Sequence, residues 1–122
     1  MKSFPLQTIE LCRSLIKVRG NEGIYRSIIS RSYYAALIFA ALWIEENHQS
    51  VDWNRKRLHQ FVPSKIGQWL PKPYNKQIPA VIHDLRDRRE NADYQPLIII
   101  KKIDAKRALE EAEYIISILQ KL

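Results

Sequence analysis

Apolar side chains recur at helical spacing along most of the chain. No glycine or proline interrupts Ile24 to Glu46, and from Tyr33 to Ile44 apolar residues go all the way round a helix. A helix that is apolar on every side is a buried one, so residues 22–46 are predicted to form the core helix. The small residues Ser27, Ser30, Ala40 and Ala41 let neighbours come close. Leu6, Ile9, Leu11, Leu15, Ile16 and Val18 predict a first helix over 5–18, with Pro5 suited to its start and Gly20–Asn21 to its stop. Residues 47–53 read as a loop, and 54–70 as one or two short helices with Pro63 as a break. Pro71 and Pro73 mark a further turn. Residues 74–93 place Ile78, Val81, Ile82, Leu85 and Ala92 on one helical face, with Pro79 as a late start or kink. Residues 94–103 are extended; because a lone LIII strand has no partner, they are expected to form a packed connector. Asp104 is the expected N-cap of a last helix over 104–121, whose stripe is Ala105, Ala108, Leu109, Ala112, Ile116 and Leu119. The pattern predicts an all-α fold: an up-and-down bundle of four main helices with a short helical insert, one domain over residues 1–122.

Composition narrows the class of protein. With 46% hydrophobic and 27% charged residues the chain is ordinary for a folded domain. One cysteine, Cys12, makes an internal disulfide impossible. The opening MKSFPLQTIELC lacks the apolar run of a leader. The longest apolar run, Tyr33–Ile44, falls short of the roughly 20 residues of a membrane span. A cytoplasmic protein with no membrane partner is expected. The net charge of +7 is concentrated in residues 49–103, which hold eleven basic and five acidic side chains. A basic segment suggests a polyanionic partner, or simply a solvated surface.

Few patterns for chemistry are present. His48, His59 and His83 have no metal-ligand spacing and read as isolated surface histidines, so neither a metal nor a cofactor is expected. The most informative segment is His83–Tyr94, HDLRDRRENADY. Arg86, Arg89 and Asp93 share one flank of a helical wheel. Two readings stay open. Asp84–Arg88, Arg86–Glu90 and Arg89–Asp93 all have the i, i+4 spacing of helical ion pairs. Alternatively, the guanidinium groups gather to grip a phosphate. In the core helix, Arg31 and the tyrosines Tyr33 and Tyr34 either pack internally or face a groove or a second subunit. Arg55-Lys56-Arg57, with Trp53, Trp69, Lys65, Lys72 and Lys76, fits single-stranded nucleic acid, and the tryptophans fit equally well as plugs for the insert.

The segment SRSYYAALIFAA (Ser30–Ala41), then RRENADY (Arg88–Tyr94), then a last helix rich in Ala, Glu and Ile, resembles the HEPN superfamily, most of all its small stand-alone members. The resemblance covers roughly residues 20–120. It implies a helical bundle that commonly forms a homodimer, with the motif-bearing helices near the dimer interface. Many members are ribonuclease toxins or defence components, with an arginine followed after four to six residues by a histidine. Aligned on Tyr94, Arg86 takes the arginine position, but Ala92 stands where the histidine belongs. Ala92 cannot transfer a proton, and acid–base help is worth about 10²–10⁴-fold. The catalytic candidates left are Arg86, Asn91 and Asp93. Candidates for RNA or nucleotide binding are Arg86, Arg89, Tyr94, Arg31, Arg55 and Arg57. Small members often pair with a minimal nucleotidyltransferase as toxin and antitoxin, and Tyr94 holds the tyrosine position modified in some pairs. RNA-directed action is the leading expectation. A dimerising subunit that partners a nucleotidyltransferase or a larger defence complex is the alternative.

Overall fold

The computed structural model describes residues 2–122. The helices are α1 (Phe4–Lys17), α2 (Glu22–Asn47), α3 (Arg55–Lys65), α4 (Tyr74–Tyr94) and α5 (Lys102–Gln120), with a 3-10 turn at Ile66–Trp69. No strand occurs among the described residues. Helices α1, α2, α4 and α5 are the four main helices expected, and α3 with the 3-10 turn is the insert.

Helix α2 begins where Asn21 Oδ1 accepts the Ile24 N–H at 3.0 Å, an N-cap. It packs against all four other helices. Ile28, Ile29, Tyr33, Leu37, Ala40, Ala41 and Ile44 are sealed from solvent. Taken over its whole length, α2 is long and apolar enough to cross a bilayer, more so than its unbroken apolar run suggests. However, 72% of its most apolar window is buried within the bundle, so the apolar character is that of a core. Both the α4 stripe (Ile78, Ile82, Leu85, Ala92) and the α5 stripe close onto it.

Three local expectations need correction. Pro63 does not break the insert helix, which runs on to Lys65 before tightening into the 3-10 turn. A proline deletes one intrahelical bond, a small loss with only two residues of helix remaining. Asp104 is not the N-cap of α5. Lys101 is, and the Asp104 carboxylate reaches back to accept the Lys101 N–H at 2.8 Å, the position-three half of a capping box. The 94–103 connector is not packed. Only Ile100 is buried, while Leu97 is 95% and Ile99 73% exposed, and Ile98 and Ile103 are exposed as well.

The backbone of that connector explains the difference. Arg26 donates to the carbonyls of Asn91 (3.2 Å), Ala92 (2.8 Å), Gln95 (3.2 Å) and Ile98. Glu22 pairs with Arg26 at 3.1 Å and accepts the Ile100 N–H at 2.9 Å. That backbone bond, followed by the bond to Arg26, holds the Glu22 carboxyl below its ordinary range. Two side chains from the first two turns of α2 thus supply partners that a strand neighbour would otherwise give. The segment needs no sheet, and its side chains turn outward. Between α4 and α5, Arg88 bonds Glu111 and also lies 3.5 Å from Asp84. Burial, reinforced by a bond to Asp84, pushes the Glu111 carboxyl up to about 7.

Pro79 lies inside α4 and has no N–H to give Asn75. Gly67 of the 3-10 turn packs onto that carbonyl: a Cβ at position 67 would sit 2.5 Å from Asn75 O. Both atoms are backbone-fixed, so the insert must shift to admit one. Gly67→Ala is therefore expected to destabilise the fold by about 1–3 kcal/mol, the usual penalty of overpacking. Urea unfolding measures this, and an unchanged midpoint would show that the approach is looser than described.

Candidate functional site

Helix α2 turns Tyr33 and Tyr34 toward the seam with α3 and α4. Their rings meet edge to face at 5.3 Å. Tyr33 is fully buried. Helix α4 brings Arg89 into the same seam, 5% exposed, with its guanidinium carbon 5.4 Å from the Tyr33 ring centre, 5.6 Å from Tyr34 and 5.5 Å from Tyr94. Three electron-rich faces partly replace the water the charge has lost. Helix α3 closes the seam with His59. Its Nδ1 and the Tyr33 hydroxyl share a 2.6 Å hydrogen bond, and its ring lies 5.7 Å from Tyr34.

The three i, i+4 ion pairs all form, loosely. Arg86 Nε lies 3.3 Å from Glu90, Arg88 Nε 3.5 Å from Asp84 and Arg89 Nη1 3.7 Å from Asp93. The first and last are charge contacts that leave the Nε atoms of Arg86 and Arg89 buried without a hydrogen bond. Asp93 itself accepts from the Ser30 hydroxyl at 3.1 Å. The carboxylates therefore temper the two guanidinium groups without using up their donors.

The charges act on their neighbours. Burial pushes the Tyr33 hydroxyl up to about 12, against the pull of Arg86 and Arg89. Burial, then the positive charges of Arg89, Arg86 and Arg55, hold His59 below its ordinary value of 6.5. At neutral pH the pair is a phenol beside an uncharged imidazole. His59 and Tyr34 also form one end of a groove of about 580 Å³, walled by Leu37, Leu42 and Trp53, with Arg55 and Lys2 on its lining.

The remaining candidates scatter. The Ala92 side chain is buried, and its carbonyl is held by Arg26. Asn91 is exposed and gives Arg26 its backbone carbonyl. Tyr94 is 67% exposed. Arg31 is exposed and donates to Ser27 at 3.1 Å. Arg55 lines the groove, whereas Arg57 bonds Asp52 at 2.9 Å. The two tryptophans divide the roles open to them. Trp69 stacks on His48, which in turn meets Trp43, and so plugs the insert. Trp53 is 42% exposed over the groove, its Nε1 bonded to Glu45 at 2.9 Å.

Two histidines read as isolated are therefore not. His48 is part of the insert packing and His59 part of the arginine–tyrosine cluster. The spacing around His59 holds no motif. The only hint is its place next to Leu58, which begins the Leu58–Val62–Ile66 face that docks on the bundle.

The fold and this cluster define a small, basic, up-and-down helical protein with a cationic aromatic seam between its central and penultimate helices. A family model for the HEPN domain matches residues 12–122, and the chain belongs to that family. No curated protein and no solved structure matches it significantly.

His59 offers a direct check of the electrostatics. Its folded pKa is depressed, so it binds fewer protons folded than unfolded below its ordinary value. Stability contributed by the neutral ring is whole above pH 6.5 and is lost as the pH falls below it. Proton NMR should find the His59 midpoint below 6.5, and Arg86→Ala should raise it by removing a like charge. A midpoint at or above 6.5 in the wild type contradicts the placement of the arginines.

Proposed function

We propose that this chain binds RNA, gripping backbone phosphates at the Arg86–Arg89 seam and leading the strand along the groove past Arg55 and Trp53. One observation carries the reading: two guanidinium groups keep unpartnered buried Nε donors in the seam beside His59, and His59 also lines an apolar groove that carries Arg55, Lys2 and Glu45. Phosphate oxygens match guanidinium donors, and an exposed indole gives a base a stacking face. Membership of the HEPN family supports an RNA-related role.

Labelled single-stranded RNA tests this by fluorescence anisotropy. Binding should weaken with salt, log K falling by about 0.7 per decade for each phosphate neutralised. Arg86→Ala should weaken it roughly tenfold, the worth of one charge-assisted hydrogen bond. Affinity that ignores salt, or that survives Arg86→Ala unchanged, rules the site out.

A second reading rests on the exposed strap. Tyr94, Leu97, Ile98, Ile99 and Ile103 present neighbouring apolar side chains to solvent. Contiguous exposed apolar surface marks protein interfaces. The strap suits a homodimer, or docking of a partner such as a nucleotidyltransferase or a defence complex, and Tyr94 is open to modification there. Light scattering should find a dimer that Leu97→Asp with Ile99→Asp converts to monomer, with little change in melting temperature, since both side chains lie outside the core. A wild-type monomer at high concentration argues against the homodimer.

A further inference from the structure

We propose that the groove between α2 and α3 binds a guanine nucleotide, with the base on Trp53 and Glu45 and the phosphate on Arg55 and Lys2. For an unpaired guanosine within a strand, the proposal rests on the RNA-binding reading and names the base that the groove takes. For a free nucleotide it stands without that reading.

One wall of the groove is set by the spacing of α2. Tyr34, Ile38, Leu42 and Glu45 follow one another at steps of four, four and three residues, and so share a helix face. That wall is roughly 16 Å long at about 1.5 Å per residue. Helix α3 sets Arg55 and Leu58 opposite it, and the preceding loop adds Trp53. The floor, with Leu37, Leu42 and Leu58, is buried, yet Phe4 and Trp53 on the lining stay 44% and 42% exposed. A concave site of about 580 Å³ with exposed aromatic lining and a few polar groups has the form of a ligand pocket.

Those polar groups select the ligand. Trp53 Nε1 donates to Glu45 Oε1 at 2.9 Å, which fixes the indole and the carboxylate relative to each other. A fixed indole suits a flat ring, because stacking then costs little freedom. A carboxylate accepts at about four lone-pair sites, and Trp53 uses one. Glu45 has no other partner among the described residues. Of the RNA bases, guanine alone offers two adjacent donors on its Watson–Crick edge, N1–H and the 2-amino group, and these match two carboxylate oxygens side by side. Uracil offers one N–H between two carbonyls. Adenine and cytosine offer one amino group beside a ring nitrogen whose lone pair would face the carboxylate. The cations complete the match. Arg55 and Lys2 line the same groove and form no ion pair among the described residues, whereas Arg57 is tied to Asp52. Guanidinium and ammonium donors there suit a phosphate. A fatty chain would leave Glu45 without a donor, and a basic peptide would meet Arg55.

Calorimetric titration with 5′-GMP, 5′-IMP and 5′-AMP tests this on the wild-type protein. IMP lacks the 2-amino group, and AMP has a lone pair in place of the N1–H. GMP should bind most tightly, and AMP at least about tenfold more weakly, the scale of one bidentate base contact, with IMP between them. Glu45→Gln keeps an oxygen for the indole N–H but offers the base one acceptor and a clashing amide, so the preference for GMP should vanish. Arg55→Ala should weaken all three nucleotides alike. Single-stranded oligouridylate carrying one guanosine, inosine or adenosine separates the sources. Tighter binding of the guanosine strand assigns the site to RNA, and GMP selectivity without it assigns the site to the free nucleotide. Absence of any guanine preference in both series, or a preference that survives Glu45→Gln, overturns the guanine site. RNA that still binds with its salt dependence then leaves the RNA-binding reading standing. Selective GMP binding with no RNA binding does the reverse.

Discussion

A buried positive charge governs how this bundle closes. Arg89 sits on the core side of α4, where an unpaired guanidinium would be strongly unfavourable. Its nearest carboxylate, Asp93, lies 3.7 Å away and is shared with Ser30. What remains is provided by aromatic faces at 5.4–5.6 Å. This requirement puts two consecutive tyrosines of α2 in one seam, an arrangement that packing alone does not demand. It also puts Tyr94 over the guanidinium despite its exposure. The insert completes the enclosure, because the buried Tyr33 hydroxyl needs a partner and His59 is the group that reaches it.

The same charge decides the protonation states around it. Desolvation and two nearby guanidinium groups both disfavour a charged imidazole, so they act in one direction on His59. On Tyr33 they oppose each other, and burial prevails. The result is a neutral donor–acceptor pair held against cationic groups. Neither partner has that character alone: an exposed histidine would be partly charged near neutrality, and an exposed tyrosine would form no fixed geometry.

The sequence shows the bundle more clearly than the seam. Helix positions follow from the apolar period and from Asn21, Pro71 and Pro73, all local signals. The errors have two sources, a local one and a distant one. Asp104 looks like a cap because caps are usually Asp, yet Lys101 precedes it with extended backbone, and Asp104 serves from inside the helix. The LIII run looks like something to be covered, because nothing local reveals that Arg26, some seventy residues upstream, bonds its backbone. The i, i+4 ion pairs of α4 were legible, since spacing alone sets them. That Arg88 also reaches Glu111 on α5 was not. His59 is the sharpest case. It lies thirty residues before Arg89, and only the return of α3 across α2 makes them neighbours.

Tyr94 joins the two surfaces of the molecule. One face of its ring covers Arg89, and the residue is also the first of the exposed apolar strap. Arg26 holds the chain on both sides of it, through Ala92 and through Gln95 and Ile98. Position 94 therefore cannot move without disturbing either the end of α4 or the third ring around the buried charge. Any protein surface that covers the strap also removes water from that ring, and removing water strengthens the field of Arg89 on the seam. A negatively charged group placed on Tyr94 would draw the guanidinium away from Tyr33 and Tyr34. The exposed strap and the buried charge of the seam thus meet at one side chain.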